Sequence, residues 1–232
     1  MKDLKKHIGI LGLGVRSTLF YLQELNKRYQ EKLGHHHTFP CIVYHIDFDT
    51  LNPFLPNQFD KIIPSLKTHL DELFSLPIKR AIIPNITLHE AFDLAKFNYP
   101  IAHPLSLMIK YLKEKKIHKV TLFGSRYTMQ STFIKSLLKN EHIDVRIPSQ
   151  ENMDTLDIIR QKVYNNKETH DDIEAYMKLI KNYSNNATIL IACTELSILN
   201  NHMPPQKSIV DLTLLQIEEV LKKEFALEMN EQ

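Results

Sequence analysis

The amino-acid sequence predicts an α/β protein of two pseudo-symmetric, three-layer lobes with mostly parallel sheets. Short apolar runs alternate with longer amphipathic stretches, which is typical of parallel strands joined by helices. Two strand–turn–helix patterns each occur twice, with roughly 110 residues between the copies, which indicates two related halves. At 232 residues the chain is long enough for two small domains, each with its own buried core.

Six short apolar segments bounded by turn residues are predicted as strands. They are residues 8–11, 41–46, 81–84, 119–123, 187–192 and 208–210. Amphipathic segments predicted as helices are residues 16–33, 65–76, 88–97, 105–115, 127–138, 155–164, 171–183 and 214–225. In the first helix, apolar residues at helical spacing are expected to face the sheet, and Gly34 is placed to end the helix. The residues expected to face the sheet are Leu19, Leu22, Leu25, Tyr29 and Leu33.

The internal repeat relates two pairs of segments. Residues 10–18 and residues 122–128 each read as a strand end, a glycine-containing turn and a helix start. Residues 82–87 likewise echo residues 190–195, and the two pairs keep the same order along the chain. We therefore interpret the chain as two copies of one α/β plan.

The repeat predicts how the chain divides. We expect an N-terminal lobe of residues 1–103 plus 212–232, closed by the C-terminal helix, and a second lobe of residues 104–211 that carries Cys193. Open α/β folds bind ligands at the carboxyl ends of their strands. Facing lobes would bring both sets of strand ends to one interlobe active-site cleft.

Composition and charge exclude several classes of partner. The formal net charge is only +2, with 29 basic residues scattered among 27 acidic ones, so neither nucleic acid nor an anionic membrane is expected as a partner. No apolar run approaches the ~20 residues that span a bilayer, and we expect no signal peptide. Two cysteines cannot build a disulfide framework and lack metal-ligand spacing, so we expect a cytoplasmic protein without a metal site. The run His35-His36-His37 is interpreted as a solvated loop.

Cys193 is the first candidate for chemistry. It follows an apolar strand and precedes Thr194-Glu195, so a helix N-terminus should lower its pKa toward the thiolate. We expect it to be partly accessible and more reactive than Cys41, which lies inside a strand. The alternative is that Cys193 is a small buried apolar residue. The Cys-Thr-Glu turn offers a hydroxyl and free backbone N–H groups where a bound carboxylate would need them.

A second candidate is the turn Gly124-Ser125-Arg126-Tyr127-Thr128. Its backbone amides, two hydroxyls and guanidinium precede a helix, which is typical of an anion-binding turn. The alternative is a glycine–serine turn used for packing alone. The Gly12-Leu13-Gly14 loop is not a dinucleotide fingerprint, because Ser17 stands at the position of the third glycine.

Together these segments resemble the aspartate/glutamate racemase family, whose relatives include hydantoin racemases, maleate isomerases and arylmalonate decarboxylase. The matching segments occur in the family's order and cover essentially the whole chain. They are residues 8–14 with Ser17 and Thr18, residues 87–89, residues 123–129, residues 192–196 and residues 209–211. The segments 124–129 and 192–196 are the specific ones.

The resemblance implies an isomerase of amino-acid metabolism that uses neither pyridoxal phosphate nor metal. In that family, two cysteines lie on opposite faces of the substrate and act as acid and base at its α-carbon. Here Cys193 matches the second cysteine, and Asn85 stands where the first is expected, so we expect them to face each other across the cleft. The substrate-binding positions carried over by the resemblance are Gly14, Thr87, Ser125, Arg126, Thr128, Lys167 and Thr194.

The chain departs from the family pattern near Asn85. An amide does not titrate at neutral pH, so Asn85 cannot exchange a proton there. Ile86 replaces an asparagine that helps to bind substrate, and Val15 replaces a usual proline. A water molecule or His89 is an alternative group for the second face.

Three functions follow from these observations. The first is an aspartate or glutamate racemase that acts at the α-carbon although Asn85 replaces the first cysteine. The second is a decarboxylase or isomerase of a small dicarboxylate with Cys193 as its sole acid. The third is a protein that binds dicarboxylates without catalysis. In each case the expected partner is a small acidic amino acid or dicarboxylate, and a homodimer stays open as an alternative to a monomer.

Overall fold

The computed structural model describes residues 7–200 and 208–230, with the side chains of residues 227–230 left out. The chain divides into two compact units. The first contains the described residues up to His103 together with those from Gln216 onward, and the second runs from Pro104 to Leu215. No helix in the described part of the chain has both the length and the apolar character that crossing a bilayer requires.

The first unit contains a three-stranded parallel sheet. Its elements are β1 (His7–Gly12), α1 (Val15–Leu33), β2 (Cys41–His45), two 3-10 turns (Phe48–Thr50 and Asn52–Phe54), α2 (Phe59–Ser75), β3 (Ile78–Ile82) and α3 (Leu88–Leu94). The strand order is β2-β1-β3, and both pairings are parallel. Beyond β3, Ile101 forms a parallel bridge with Ala81.

The second unit contains a four-stranded parallel sheet. Its elements are α4 (Pro104–Glu114), β4 (Lys119–Gly124), α5 (Arg126–Gln130), α6 (Phe133–Asn140), β5 (Asp144–Arg146), α7 (Gln150–Tyr164), α8 (His170–Ser184), β6 (Thr188–Ala192), α9 (Thr194–Asn200) and β7 (Ile209–Asp211). The strand order is β5-β4-β6-β7. The last helix, α10 (Leu212–Asn230), begins here and belongs to the first unit from Gln216 onward. The predicted α/β class with parallel sheets is therefore confirmed.

The two sheets follow one plan. In each sheet, the strand that comes first in the sequence lies between the second and the third. The outer edge of the third strand pairs with a later segment of the chain. That outer place is taken by Ile101 beside β3 and by β7 beside β6. The internal repeat read from the sequence is thus present in the strand order.

The core of the first unit lies along the inner faces of α2 and α3. Its buried side chains come from the strands, from these two helices and from their connections. They are Leu11, Leu13, Leu51, Ile62, Leu66, Leu70, Leu73, Ile78, Ala81, Ile83, Leu88, Ala91 and Phe92. Equivalent strands of the second unit are buried just as completely, which suits a parallel sheet covered on both faces.

Some predicted boundaries are wrong for physical reasons. Helix α2 begins at Phe59 instead of residue 65 and continues through Pro64, although an interior proline costs about 3 kcal/mol. Ile62 and Leu66 on either side of it are fully buried, and burying each such side chain gains about 1.5–3 kcal/mol. In α1, Leu19 is exposed, whereas Phe20 and other residues on the neighbouring face are buried.

Other differences concern short elements. The helix predicted over residues 127–138 is broken at Ser131, whose extended backbone separates α5 from α6. Strand β5 was not predicted, and α9 was expected only as a helix start after Cys193, because three residues and seven residues are too few to show a periodic pattern. Gly34 does end α1, with a φ of 78° and its N–H bonded to Gln30 O.

Buried hydrogen bonds attach α10 to the first unit. The hydroxyl of Tyr21 on α1 donates to Gln216 Oε1 at 2.5 Å, and Gln216 Nε2 donates to Ala102 O at 2.7 Å. Tyr21 and Gln216 are fully buried. One amide therefore links α1, α10 and the segment that pairs with β3.

Replacing this amide should destabilise the protein. In Gln216→Leu the Tyr21 hydroxyl and the Ala102 carbonyl each lose this hydrogen bond, and removing one partner of a buried hydrogen bond costs about 1–3 kcal/mol. Urea denaturation measures the change in the free energy of unfolding. Glu218→Gln on the same helix is the control, because its exposed ion pair with Arg28 contributes less than about 1 kcal/mol. Equal stability of the two variants would contradict this role of Gln216.

Candidate active site

Cys193 lies in the turn between β6 and α9. β6 ends at Ala192 and α9 begins at Thr194, as the sequence pattern indicates. In the sheet, Ala192 pairs with Gly124, the last residue of β4. Because the two strands are parallel neighbours, the turns that follow them leave the same edge of the sheet. Cys193 and Ser125 are the first residues of those turns.

The expectation that the helix end lowers the pKa of Cys193 is wrong. Its thiol is buried and donates a hydrogen bond to Glu195 Oε2 at 2.9 Å. Burial, then the negative charge of Glu195, raise the pKa of Cys193 well above its ordinary value. The sequence showed the helix start, but α9 has only seven residues and carries Glu195 in its first turn. Burial and that carboxylate outweigh the favourable helix end.

The prediction that Cys193 is partly accessible is also wrong. Cys193 is buried, whereas Cys41 at the start of β2 is half-buried. Burial raises the pKa of Cys41 as well. Reactivity of a thiol depends on both access and thiolate fraction, and neither favours Cys193.

Arg160 and Tyr176 are neighbours of Cys193 that sequence reasoning missed. Arg160 on α7 opposes the effect of Glu195, because its positive charge lowers the pKa of Cys193. Tyr176 on α8 is fully buried and donates to Leu196 O at 3.3 Å. Burial, followed by the charges of Asp211 and Cys193, raises the pKa of Tyr176 well above its ordinary value. Neither residue belongs to a recognisable motif, so the sequence alone carries no signal for either.

The turn after β4 is built by its own hydroxyl groups. Ser125 Oγ accepts from Thr128 N at 3.1 Å and lies 2.9 Å from Thr128 Oγ1, so Ser125 caps the N-terminus of α5. Thr128 is buried. The structure thus places Ser125 and Thr128 beside the Cys193 turn, where the sequence analysis proposed an anion-binding turn.

Arg126 takes part in this turn through two different groups. Its backbone N–H donates to Asp157 Oδ1 at 3.0 Å. Its half-exposed guanidinium pairs with Asp154 Oδ1 at 2.8 Å. The side chain predicted to bind substrate is therefore engaged with α7, and a ligand would have to compete with Asp154 for it.

A buried network supports the Cys193 turn from α9 and β7. Ser197 Oγ donates to Asp211 Oδ1 at 2.8 Å and lies 3.2 Å from Cys193 O. Asp211 Oδ1 also accepts from Thr213 N at 2.9 Å. Thr194 is buried next to Cys193. These contacts fix the backbone of the turn and leave its sulfur to interact with Glu195.

Lys167 lies in the connection between α7 and α8. Its side chain is exposed, and its backbone N–H donates to Lys162 O at 2.8 Å. No described contact joins its side chain to Cys193, so its role as a substrate-binding residue stays a prediction.

In the first unit, Asn85 occupies the turn between β3 and α3. Its Oδ1 accepts from Leu88 N at 3.0 Å, which satisfies one of the N–H groups left open at the start of the helix. Asn85 is half-buried, Ile86 is buried and Thr87 is half-buried. The amide that replaces a catalytic cysteine by resemblance therefore has a capping function of its own.

His89 does not supply an acid for the second face. It is fully buried, and its Nδ1 lies 2.8 Å from Asn85 O, so Nδ1 carries the proton. Burial, then the neighbouring His103, lower the pKa of His89 to about 3. The two rings meet edge to face with centroids 4.9 Å apart. At neutral pH the imidazole is uncharged and holds the turn in place.

Gly14 lies at the start of α1, where its carbonyl oxygen is bonded by Thr18. Thr18 Oγ1 donates to Gly14 O at 2.9 Å and accepts from Leu13 N at 3.2 Å. His45 Nε2 lies 2.8 Å from Leu13 O. The side chains of Thr18 and His45 thus contact the backbone atoms of this loop. The substrate roles predicted for Gly14 and Thr87 stay predictions.

Strand register makes Asn85 and Cys193 equivalent. Ala81 in β3 and Ile189 in β6 each lie opposite the third residue of the central strand of their sheet. Asn85 and Cys193 follow four residues after Ala81 and Ile189. Both lie in the turn before a helix at the same step of the repeat. That they face each other across a cleft stays a prediction.

The equivalence extends one helical turn further. His89 and Ser197 lie four residues after Asn85 and Cys193, and each has a side chain within hydrogen-bonding distance of the carbonyl oxygen of that turn residue. The supporting contact is therefore kept in both units with different side chains. Among the described residues no group of three histidine, cysteine or acidic side chains is arranged to hold a metal ion.

Thiol labelling should reflect the observed burial. With iodoacetamide at pH 8, Cys41 should react faster than Cys193, because Cys193 is less accessible and its pKa is raised further. Glu195→Gln removes a negative charge that opposes the thiolate and should speed labelling of Cys193, with Cys41 as internal control. Peptide mapping by mass spectrometry measures both rates. Faster labelling of Cys193 in the unmodified sequence would contradict the description above.

Comparison with known proteins gives the family. The sequence profile of the Asp/Glu/hydantoin racemase family matches residues 10–220. An aspartate racemase homologue from Pyrococcus horikoshii superposes with a TM-score of 0.76 at 19% identity, covering 94% of this chain and 98% of that one. The aspartate racemase of Picrophilus torridus gives 0.75 at 19% identity, covering 94% of each chain. A glutamate racemase from Bacillus anthracis gives 0.61 at 13%, covering 94% and 81%. The chain belongs to the Asp/Glu/hydantoin racemase family.

Proposed function

We propose that the protein catalyses proton exchange at the α-carbon of a small acidic amino acid, with Cys193 as the only acid–base group that acts on that carbon. Membership of a racemase family supports chemistry of this class. One observation carries the proposal: Asn85 and Cys193 occupy equivalent turns, and only Cys193 can titrate. Two-base racemisation needs an acid–base group on each face of the α-carbon, so it should be slow here.

The surroundings of Cys193 supply a path for its proton. The thiol hydrogen points to Glu195 Oε2 at 2.9 Å. Transfer along this bond leaves a thiolate and a protonated carboxyl, and the thiolate can then remove the α-proton of the substrate. The resulting thiol exchanges its hydrogen with solvent and then returns a solvent-derived proton to the same face of the carbanion, since the position of the second thiol holds Asn85. The net result is exchange with retention of configuration.

Substrate carboxylates would be held by the turns at this edge of the sheet. Ser125 and Thr128 offer hydroxyl groups, and Thr194 offers a hydroxyl beside Cys193. Arg126 could supply a positive charge after exchanging its surface partner Asp154 for the substrate. Ion pairs of this half-exposed kind contribute at most about 1 kcal/mol, so such an exchange costs little. The expected ligand is an acidic amino acid such as aspartate or glutamate.

Deuterium exchange tests the proposal directly. Incubation with L- or D-aspartate or L- or D-glutamate in D₂O should replace the α-proton of one enantiomer faster than the opposite enantiomer forms. Proton NMR measures the exchange and chiral chromatography measures the inversion. Cys193→Ala should abolish exchange, and Cys41→Ala should leave it unchanged. Absence of exchange in the unmodified protein, together with a ligand-induced rise in melting temperature, would indicate binding without catalysis.

Restoring the missing thiol should raise racemisation. Asn85→Cys with Ile86→Asn rebuilds the group on the second face and the substrate contact that the family pattern has there. General acid–base groups contribute about 10²–10⁴-fold, so inversion should increase on that scale. Asn85→Ser with Ile86→Asn is the matched control, because serine can cap Leu88 but does not titrate. If the unmodified protein already inverts aspartate or glutamate as fast as the double variant, Asn85 is not the limiting residue.

A decarboxylase or isomerase that uses one cysteine is the second candidate. The observation that favours it is the raised pKa of Cys193, which keeps the thiol protonated at neutral pH and ready to protonate a carbanion. Loss of carbon dioxide from a malonate-type substrate generates such a carbanion without any base. Release of carbon dioxide from substituted malonates, dependent on Cys193, would support this function. Exchange at aspartate or glutamate without such release would favour the first.

A further inference from the structure

Strand β5 forms an edge of the second sheet and lies outside the candidate active site. In the order β5-β4-β6-β7 it pairs only with β4 among the described residues. Asp144 and Arg146 are exposed, and Val145 between them is half-buried. An edge strand presents backbone donors and acceptors to any other strand that approaches it, so proteins usually cover or protect such an edge.

The backbone of Val145 points away from β4. Asp144 N donates to His118 O at 2.8 Å, so the N–H and C=O groups of Asp144 face β4. Successive residues of a strand direct these groups to opposite sides, so Val145 directs its own to the open edge. No hydrogen bond among the described residues engages them there. One donor and one acceptor are therefore available at the centre of β5.

The charges of β5 are complementary to those of the same strand turned around. A two-fold axis perpendicular to the sheet and passing beside Val145 places a second copy of β5 antiparallel to the first. Val145 then lies opposite Val145 of the second copy, and the two exchange both of their backbone hydrogen bonds. Asp144 lies opposite Arg146 of the second copy, in a pair without backbone hydrogen bonds, where side chains are closest. Opposite charges in such cross-strand pairs are stabilising.

Both charged side chains can take part in these cross-strand pairs. In the single chain Arg146 Nε lies 3.6 Å from Asp144 Oδ2, and each side chain is more than half exposed. An exposed ion pair of this kind contributes little to stability, so exchanging it for a contact with a second copy costs little.

The apolar face of β5 fits the same register. Ile147, just after the strand, is 38% exposed. In an extended chain alternate residues share a face, and the two-fold axis sets Ile147 opposite Ile143 of the second copy. Ile143 borders an open groove between β5 and α6, together with Ser136, Lys139 and Val145. Ile147 of each copy would therefore enter the groove of the other and lose its exposure to water.

We propose that the open edge of β5 binds a second copy of this chain, in antiparallel register centred on Val145, and joins the four-stranded sheets of the two copies into one. The occupant is the same chain because the order of charges on β5 is its own complement. The inference does not depend on the chemistry of Cys193. Stable interfaces bury about 1,200–2,000 Å², and a strand of three residues supplies a small part of that area. The dimer should therefore be weak and should depend on protein concentration.

Charge reversal tests the register, with sedimentation velocity at a series of protein concentrations as the measurement. Asp144→Arg sets like charges opposite each other on both sides of the axis and should raise the dissociation constant of the dimer about tenfold or more. Asp144→Arg combined with Arg146→Asp restores opposite charges and should regain the dimerisation of the unmodified chain. Glu174→Arg is the matched control, because it reverses an exposed acidic residue on α8 and leaves β5 intact.

A mixture of variants gives an independent test. Asp144→Arg alone and Arg146→Asp alone should each remain monomeric where the unmodified chain dimerises, and an equal mixture of the two should dimerise. Circular dichroism checks that each variant is folded. An unmodified chain that is monomeric at every concentration would overturn the inference. So would a dimer that Asp144→Arg weakens no more than Glu174→Arg does, or a combined variant that dimerises no better than the single reversals.

Discussion

The parallel pairing of β4 with β6 is the constraint on which the candidate site depends. It sets Gly124 opposite Ala192, so the two turns that carry hydroxyls and thiol start side by side. A Cβ at Gly124 would lie 2.9 Å from Thr128 Cγ2 and 3.3 Å from Ala192 O, so the close approach of the α5 turn to β6 requires glycine. Asp157 then joins that turn to α7, where it also accepts a hydrogen bond from Arg160. The register of the sheet fixes the backbone of the turns after β4 and β6, and that backbone positions their polar side chains.

The first unit keeps the same scaffold with different chemistry. Its turn after β3 is supported by His89 as the turn after β6 is supported by Ser197. Asn85 stands at the step of the repeat where Cys193 stands, but its oxygen caps α3. An asparagine side chain readily accepts hydrogen bonds from nearby backbone N–H groups, whereas a cysteine sulfur is only a weak acceptor. At this step of the repeat the first unit therefore carries a side chain that stabilises its turn, and the second unit carries one that can titrate.

Strand ends, the repeat and the position of Cys193 could be predicted because they depend on local patterns of apolar residues and turns. The electrostatics could not. The sequence shows a cysteine before a helix, which favours a thiolate, but burial and the approach of Glu195 are properties of the packed structure and reverse the sign. Arg160 was missed for the same reason, since it reaches Cys193 through the fold from another helix. Leu19 was misplaced because apolar spacing does not reveal which of two adjacent faces of α1 is covered.

A thiol with a raised pKa is suited to the chemistry proposed for it. The α-proton of an amino acid is only weakly acidic, and a thiolate becomes a stronger base as the pKa of its thiol rises. The cost is that little thiolate forms at neutral pH. A carboxylate that accepts the thiol proton reduces that cost at the moment of transfer, since it is already hydrogen-bonded to the thiol and requires no reorganisation. Opposed charges around one buried sulfur therefore allow a strong base to exist briefly without being the resting state.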